Sequence, residues 1–304
     1  MSMAMVFPGQ GSQSVGMLGH WADNVIVRSH FAEASELLGF DLLTLVTEGD
    51  PDTLNQTENA QPALLVSSVA YYAVWKEKGL AIPTWMAGHS LGEFSALVCS
   101  GALAFKDAVG LVRKRGQLMQ KAGDVNPGAM LAVIGLTDEQ MAEVCASCSD
   151  KGIVSPANFN APGQVVASGD LAGITALTTA AKEAGAKMVV PLPVSVASHC
   201  SLMQEAANDF KESLMAVSWS TPEIPVLHNV SAAESSDVDA LRQALIDQLT
   251  QPVRWVQTIQ ALQQAGAEQV VECGVGQVLS KLCKRFKPSI IGLSFDKAVQ
   301  TQGE

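Results

Sequence analysis

Charged side chains are scarce in this 304-residue chain, where they make up 16% of the residues. Cations are the scarcer sign: 19 Lys and Arg stand against 30 Asp and Glu, which gives a formal net charge of −11. This deficit argues against a nucleic-acid-binding protein, because phosphate contacts need Lys and Arg in surplus. Aromatic residues make up only 5% of the chain, but hydrophobic residues make up 48%, so a chain of this length can bury a substantial core.

Long apolar runs are also missing. The longest, residues 63–75 and 129–136, are too short or too interrupted by Ser and Gly to span a bilayer, and no basic amphipathic stretch indicates a membrane surface. Residues 1–8 lack the positively charged start of a signal peptide and lead directly into a turn, so we expect none. The six cysteines are scattered as reduced, buried thiols are. These features predict a cytoplasmic enzyme or binding protein.

Metal-ligand and nucleotide motifs are lacking as well. Cys145 and Cys148 have the C-x-x-C spacing of redox and zinc sites, but they lie late in a helical pattern with no second Cys or His pair nearby. The glycines after the first strand do not complete a dinucleotide motif, since position 14 is Ser, and no Gly-Lys-Ser/Thr follows for a P-loop. We therefore expect no metal and no bound cofactor.

Strand and helix patterns alternate along the first half of the chain. The predicted strands are 3–7 and 85–89, and the predicted helices are 62–78, 92–99 and 105–121. Strands that alternate with helices predict a mostly parallel sheet.

The middle of the chain changes to the order βαββαβ, the ferredoxin-like pattern. We therefore predict an α/β fold with a hydrolase-like large domain, residues 1–127 and 197–304, and an inserted ferredoxin-like small subdomain, residues 128–196. Loops at the junction of two such units commonly line a cleft.

The segment Gly88-His-Ser-Leu-Gly92 fits G-x-S-x-G, with a predicted strand before it and a predicted helix after it. A nucleophile elbow needs glycine two residues either side of the Ser, because its sharp turn leaves no room for side chains there. The turn would expose the Ser90 hydroxyl at a helix N-terminus and free the Leu91 N–H to hold an oxyanion. The turn Gly9-Gln10-Gly11 is suited to provide a second N–H donor. A plain βα turn with glycine for packing is the alternative.

A serine nucleophile needs a base, and the chain contains five histidines. His89 adjoins the Ser and points away from it across the turn, and two others lie in an early polar region. His228 follows an apolar strand. His199 lies in the loop where the small subdomain rejoins the large domain. Loop position favours His199 and leaves His228 open.

Two basic clusters stand out in so acidic a chain. Arg113-Lys114-Arg115 lies on the predicted helix 105–121; such a run is usually a solvated face, but an inward-turned Arg would suit a substrate carboxylate. The second cluster lies near the C-terminus and has apolar residues on its opposite helix face. It either complements the helix dipole or forms a docking patch, and its members are Lys281, Lys284, Arg285 and Lys287.

With these residues assembled, the chain resembles the malonyl-CoA:acyl-carrier-protein transacylase family of bacterial fatty acid synthesis over nearly its whole length. The motifs that carry the resemblance are Phe7-Pro-Gly-Gln-Gly-Ser-Gln13, Gln61-Pro-Ala63, Ala87-Gly-His-Ser-Leu-Gly-Glu93, Arg115-Gly116, Asn158-Phe-Asn160-Ala-Pro-Gly-Gln164 and Ser198-His-Cys200. Phe94 departs from the family pattern, which often has Tyr, and Val275 departs from its usual Pro.

The resemblance implies the catalytic roles. Ser90 would take the malonyl group, with His199 as its base. Gln10 and Leu91 would supply the two oxyanion N–H groups. Gln248 would orient the base through its backbone carbonyl, so the pair would need no acidic third member.

The resemblance also implies the substrate-binding residues. Arg115, rather than Arg113, would pair with the malonyl carboxylate. Gln61, Asn160 and Ser198 belong to the same expected set. In related polyketide acyltransferases the residue before the base helps to choose the acyl unit, and Ser there accompanies methylmalonyl.

The activity implied is ping-pong transfer of malonyl from malonyl-CoA to the phosphopantetheine thiol of acyl carrier protein, for fatty acid synthesis. We expect a monomer with no nucleic-acid or membrane partner, and Lys281, Lys284 and Arg285 as the docking patch for acidic carrier protein. The alternatives are a polyketide acyltransferase for malonyl or methylmalonyl units, an α/β-hydrolase-type thioesterase, and a carrier-protein or acyl-CoA binding module with an inert Ser90.

Overall fold

Two β-sheets organise the chain in the computed structural model, which describes residues 2–194 and 196–302. The first sheet has the strand order β7-β2-β1-β8-β9, and every pairing in it is parallel. Its strands are β1 Met3–Phe7, β2 Trp85–Gly88, β7 Val226–Leu227, β8 Gln269–Glu272 and β9 Ile291–Ser294. The predicted parallel sheet is confirmed.

The second sheet has the order β4-β5-β3-β6 and is antiparallel throughout. Its strands are β3 Gly128–Ile134, β4 Val154–Ala161, β5 Gln164–Asp170 and β6 Met188–Pro191. The two central strands, β5 and β3, are not consecutive in the chain, and β4 and β6 lie at the edges. This strand order is the ferredoxin-like arrangement that the sequence predicts.

Helices connect and cover both sheets. In chain order they are α1 Val25–Leu38, α2 Leu42–Glu48, α3 Pro51–Asn55, α4 Thr57–Glu77, α5 Gly92–Cys99, α6 Phe105–Val125, α7 Asp138–Ser147, α8 Leu171–Glu183, α9 Gln204–Met215, α10 Val238–Asp247, α11 Trp255–Gln264, α12 Val278–Leu282 and α13 Phe295–Gln302. No described helix is long and apolar enough to cross a membrane.

Local sequence explains where several helices begin. The Asn24 side chain accepts hydrogen bonds from the first turn of α1, and Asp170 does the same for α8. Thr137 and Gln140 form a reciprocal capping box at the start of α7. Gly39 ends α1 in the left-handed conformation that glycine adopts without a steric penalty.

The parallel sheet is buried on both faces, and β1 shows this residue by residue. Met3, Met5 and Phe7 point into one apolar cluster, whereas Ala4 and Val6 point into the other. The same strand therefore carries no polar alternation, as is usual for a strand covered by helices on both sides.

Helix α4 differs from the prediction for residues 62–78. It begins at Thr57, five residues earlier, and keeps Pro62 inside it. Proline at this point lacks only the N–H that would bond to Glu58, near the start of the helix, so the cost is small. The earlier start places the fully buried Gln61 within the helix.

Backbone hydrogen bonds join the antiparallel sheet to the segment between α10 and α11. The Val253 N–H donates to the Ala157 carbonyl over 2.8 Å, and the Phe159 N–H donates to the Val253 carbonyl over 2.9 Å. Strand β4 is thereby fixed to the segment that follows α10. The domain boundaries given above, 1–127 with 197–304 and 128–196, stay a prediction, and Met1, Ser195, Gly303 and Glu304 lie outside the described residues.

Candidate active site

The turn between β2 and α5 has the geometry of a nucleophile elbow. Ser90 lies in the left-handed region with φ 51°. A Cβ on Gly88 would lie 1.8 Å from the Gly92 carbonyl carbon, and a Cβ on Gly92 would lie 2.1 Å from the Phe7 carbonyl oxygen. Both glycines are therefore required by the close approach of β1, β2 and α5, which excludes the plain βα turn.

His199 lies at hydrogen-bond distance from this serine. Its Nε2 is 2.8 Å from Ser90 Oγ, and its Nδ1 is 2.7 Å from the Gln248 carbonyl oxygen. A carbonyl can only accept, so Nδ1 carries the hydrogen and Nε2 is left to accept a proton from the hydroxyl. His199 also has a left-handed backbone, with φ 61°. Strain at both partners is typical of an active site.

Burial keeps this imidazole neutral. Desolvation is the main cause and the positive charge of Arg115 the second, and together they lower the pKa of His199 to about 3. The hydrogen bond to the Gln248 carbonyl acts in the opposite direction. At neutral pH the ring is thus present as a free base.

Arg115 projects from α6 into the same place and is fully buried. Its guanidinium donates to Gln61 Oε1 over 2.9 Å, to Gln248 Oε1 over 2.9 Å and to Ser90 Oγ over 3.3 Å. Burial lowers its pKa to about 10, and the charge of Glu93 opposes this shift, so the group stays cationic. The guanidinium can therefore receive an anionic group next to Ser90.

Arg113 has a different position on the same helix. It is half-buried, and its guanidinium lies 3.4 Å from the Glu58 carboxylate and over the Phe40 ring. This arginine faces the outside of α6, and the structure brings only Arg115 to the serine.

The Gln10 and Leu91 backbone N–H groups have no hydrogen-bond acceptor among the described residues. Leu91 is buried at the start of α5, and the Gln10 side chain accepts from Gln61 Nε2 over 3.2 Å. The two turns touch, since a Cβ on Gly9 would lie 2.5 Å from the His89 carbonyl oxygen. Two free N–H groups on touching turns beside the nucleophile form a candidate oxyanion hole.

The small sheet contributes Asn160 to the site. Its Oδ1 lies 2.8 Å from His89 Nε2, so the histidine next to the nucleophile is held away from it. Ser198 does not reach the reacting groups: its hydroxyl lies 3.4 Å from Met130 Sδ. Asn160 therefore contacts the residue next to the nucleophile, and the Ser198 hydroxyl is directed to Met130.

His228 is not at the serine. Its Nδ1 lies 2.7 Å from a carboxylate oxygen of Glu93, and both side chains are buried. Sequence reasoning missed Glu93 and Asn229, which accept and donate hydrogen bonds behind the elbow. The available signal was the single charged residue of the otherwise uncharged helix Gly92–Cys99, since a charge on such a helix is buried and needs partners.

The basic cluster near the C-terminus lies apart from these residues. Lys281, Lys284, Arg285 and Lys287 are exposed on α12 and the turn after it, while Leu279 and Phe286 are buried beneath them. The apolar and basic faces of this segment thus separate as the sequence suggests.

Cys145 and Cys148 are free, buried thiols in the small subdomain, and burial raises the pKa of Cys145 to about 12. Within residues 2–194 and 196–302, no group of three or more His, Cys, Asp or Glu side chains is arranged to hold a metal ion.

The family model "Acyl transferase domain" matches residues 4–285. The chain belongs to this family. A curated relative from Salmonella typhimurium, named malonyl CoA-acyl carrier protein transacylase, is 48% identical over 284 residues, which covers 93% of this chain and 92% of the relative. The resemblance drawn from the sequence motifs is confirmed.

Solved structures of family members agree with the fold. An acyl carrier protein S-malonyltransferase from Vibrio cholerae superposes with a TM-score of 0.94 at 48% identity, covering 97% of this chain and 96% of that one. The transacylase in a structure described as a type II PKS acyl-carrier protein in complex with its malonyl-transacylase superposes with a TM-score of 0.95 at 44% identity, covering 99% and 100%. The mixed parallel and antiparallel α/β fold is thus that of the family.

Proposed function

We propose that the chain transfers a malonyl group from malonyl-CoA to the phosphopantetheine thiol of acyl carrier protein through a malonyl-serine intermediate at Ser90. The observation that carries the proposal is the 2.8 Å contact of Ser90 Oγ with His199 Nε2, next to the buried cation of Arg115. The names of the family members compared above support the choice of acyl group and acceptor.

In the first half-reaction the Ser90 oxygen attacks the thioester carbonyl of malonyl-CoA while His199 Nε2 takes its proton. The backbone N–H groups of Gln10 and Leu91 hold the oxyanion of the tetrahedral intermediate. The C–S bond then breaks, and the imidazolium returns the proton to the departing CoA thiolate.

The second half-reaction repeats these steps with a new thiol. The phosphopantetheine thiol of the carrier protein gives its proton to His199 Nε2 and attacks the malonyl ester. The ester bond to Ser90 breaks, and Ser90 recovers the proton. The Gln248 carbonyl fixes the base in the tautomer that both steps need, so a neutral acceptor takes the position of an acidic third member.

Arg115 selects the substrate in this scheme. Its planar fork would hold the malonyl carboxylate in a bidentate pair, with Gln61 as a further support. An acetyl group offers no counter-charge, so the buried guanidinium would remain uncompensated. Discrimination by a missing polar partner reaches several kcal/mol.

We propose a cytoplasmic monomer that supplies extender units for fatty acid synthesis, with the two-domain division and the docking patch predicted above. A polyketide carrier protein is the second candidate acceptor, since one similar structure holds a type II PKS acyl-carrier protein with its transacylase.

One labelling experiment tests the proposal against its rivals. The protein is incubated with malonyl-CoA labelled in the malonyl group, the Ser90 adduct is measured, and carrier protein is then added. We expect a stable adduct that passes its label to the carrier. Rapid release of free malonate would identify a thioesterase, and absence of an adduct would identify a binding module.

The variant Arg115→Ala sharpens this experiment. We expect malonyl labelling to fall by at least about 100-fold while acetyl labelling rises, because the site loses its carboxylate partner. Arg113→Ala is the matched control and should keep both rates. Equal loss of malonyl and acetyl labelling in Arg115→Ala would contradict the assigned role.

A further inference from the structure

A fully buried carboxylate lies directly behind the elbow, and the proposed reaction does not use it. Glu93 is in the first turn of α5 and has no exposed surface. Its oxygens accept from the Asn229 backbone N–H over 3.1 Å and from Gln248 Nε2 over 2.7 Å, and His228 Nδ1 lies 2.7 Å away. Three donors on one carboxylate fix its position.

Two of these donors belong to residues that hold the reacting groups. The Asn229 side-chain oxygen accepts the Ser90 backbone N–H over 2.7 Å. Gln248 Nε2 also donates to the Ser90 carbonyl over 3.1 Å, and Gln248 Oε1 accepts from the Arg115 guanidinium over 2.9 Å. Glu93 thus acts on the Ser90 backbone N–H through Asn229. Through Gln248 it acts on the Ser90 carbonyl and on the Arg115 guanidinium.

The carboxylate also sets the direction of the Gln248 amide. A carboxylate only accepts, so the amide NH2 must face Glu93 and the amide oxygen must face Arg115. The reverse orientation would set the NH2 against the guanidinium, donor to donor. Glu93 therefore determines that Arg115 meets an acceptor at this position.

The Gln248 amide lies between the Glu93 carboxylate and the Arg115 guanidinium, which are not in direct contact. No carboxylate oxygen among the described residues lies within 4.0 Å of the Arg115 nitrogens. A direct ion pair would occupy the guanidinium fork and compete with an incoming carboxylate. A counter-charge one amide away offsets part of the burial cost, and an incoming anionic group then displaces only neutral acceptors from the guanidinium, not a bound carboxylate.

We propose that Glu93 is a positioning residue that holds Arg115 ready for a carboxylate-bearing acyl group, through the Gln248 side chain, and so sets the preference for malonyl over acetyl. The inference rests on the proposed acyl transfer. His228 completes the arrangement: its Nδ1–H saturates the second carboxylate oxygen, and its buried Nε2 has no partner among the described residues.

The variant Glu93→Gln separates charge from shape. The new amide oxygen can accept from Gln248 and Asn229, and the new NH2 can donate to His228 after that ring changes tautomer. The elbow is thus kept while the negative charge is lost. We expect the ratio of malonyl to acetyl labelling of Ser90 to fall by about tenfold or more.

Reaction with phenylmethylsulfonyl fluoride gives the second readout. This reagent carries no carboxylate and needs the nucleophile, its base and the oxyanion hole but not Arg115 as an anion partner, so its rate in Glu93→Gln should stay within about threefold of the wild type. A merely structural role would lower sulfonylation and both acylations by one common factor. That result, or an unchanged malonyl-to-acetyl ratio, overturns the proposal.

Glu93→Asp keeps the charge and shortens the side chain. It should lose stability but keep the malonyl-to-acetyl ratio within about threefold of the wild type. A fall in the ratio of about tenfold or more would contradict the charge argument, and this arm stands alone if Glu93→Gln does not fold. Glu272→Gln is the matched control, because Glu272 is another fully buried carboxylate with three donors, from Leu279 and Ser280. Its ratio should not change.

The experiments distinguish failure of the Glu93 proposal from failure of the proposed acyl transfer. Failure of the wild-type protein to form a malonyl adduct would refute the proposed transfer. A wild-type adduct together with an unchanged ratio in Glu93→Gln would refute only the role of Glu93.

Discussion

At the scale of single residues, the proposed reaction depends on the two ring nitrogens of His199. The carbonyl behind Nδ1 fixes the tautomer, while burial and Arg115 hold the pKa of the ring at about 3. The base is therefore always in its accepting form near neutral pH. Its weakness is compensated by contact, since the serine oxygen is already 2.8 Å away.

This shift predicts an unusual pH profile for acylation. A histidine of ordinary pKa, about 6.5, would lose activity by about 30-fold between pH 8 and pH 5. With the pKa of His199 at about 3, we expect kcat/KM for malonyl-CoA to stay level over that range. Initial rates in buffers of constant ionic strength provide the measurement, with recovery of activity at pH 7.5 as the control. A midpoint near pH 6.5 would show that the ring is not desolvated.

The lowered pKa of His199 makes the expected activity independent of pH between pH 8 and pH 5, but it makes the folding stability depend on pH. Below pH 6.5 the unfolded chain binds a proton at His199 that the folded protein refuses until about pH 3. Stability from this group is thus complete above pH 6.5 and falls by up to ~1.4 kcal/mol for each pH unit below it. In chemical denaturation, His199→Gln should lose less stability than the wild type on going from pH 7 to pH 5.

How far the sequence predicted the site depends on how local each signal is. Ser90 and Leu91 follow from one contiguous motif. The basic run on one helix left Arg113 and Arg115 open, and the family resemblance chose Arg115. The link from Glu93 through Gln248 and Asn229 could not be read from the chain, because it joins residues that are 155 and 136 positions apart. A chain of hydrogen bonds across the core has no period and no spacing to detect.

At the scale of elements, the elbow exists because three backbones meet within van der Waals distance. Strand β2, helix α5 and the end of β1 leave no volume at Gly88 or Gly92. The serine is held in its strained conformation by this packing, with support from the hydrogen bonds to Asn229. The boundaries of β1 and α5 were predicted correctly because glycine or proline marks them. The start of α4 was missed because Pro62 is an ordinary stop signal that this helix includes.

The packing at the elbow predicts a severe effect for Gly88→Ala. The new methyl group would lie 1.8 Å from the Gly92 carbonyl carbon, so β2 and α5 must separate. We expect a loss of about 3 kcal/mol or more in the free energy of unfolding and a loss of Ser90 labelling. Gly110→Ala on α6 is the control: nothing lies within 4 Å of its Cβ, and it should be neutral or stabilising. Similar stability of the two variants would contradict the elbow packing.

At the scale of the whole molecule, an acidic protein must accept an acidic substrate and, as proposed, an acidic partner. The net charge of −11 gives long-range repulsion toward both. Attraction therefore has to be local, at Arg115 within the site and at the exposed cations around α12. Screening by salt weakens both the general repulsion and the local attraction, so these two changes have opposite consequences for binding.

Charge reversal tests the docking patch. In Lys281→Glu/Lys284→Glu/Arg285→Glu we expect the KM for carrier protein to rise by about fivefold or more, with malonyl-CoA labelling of Ser90 unchanged, because contact with the partner occurs only in the second half-reaction. Lys78→Glu/Lys106→Glu/Lys211→Glu makes the same change in net charge at other exposed sites and serves as the control. Equal KM values for the two triple variants would reject the patch.

The neutral carbonyl behind His199 has a consequence for the lifetime of the acyl-enzyme. Without a carboxylate behind it and with a guanidinium beside it, the imidazole has little affinity for a proton. Such a base can accept a proton from a thiol, whose pKa is about 8.5, far more readily than from water, whose pKa is about 15.7. The mismatch of proton affinities thus favours the carrier thiol over water as the second nucleophile. Ser90 overcomes the same mismatch because its oxygen is held 2.8 Å from the base, and a mobile water has no such fixed contact.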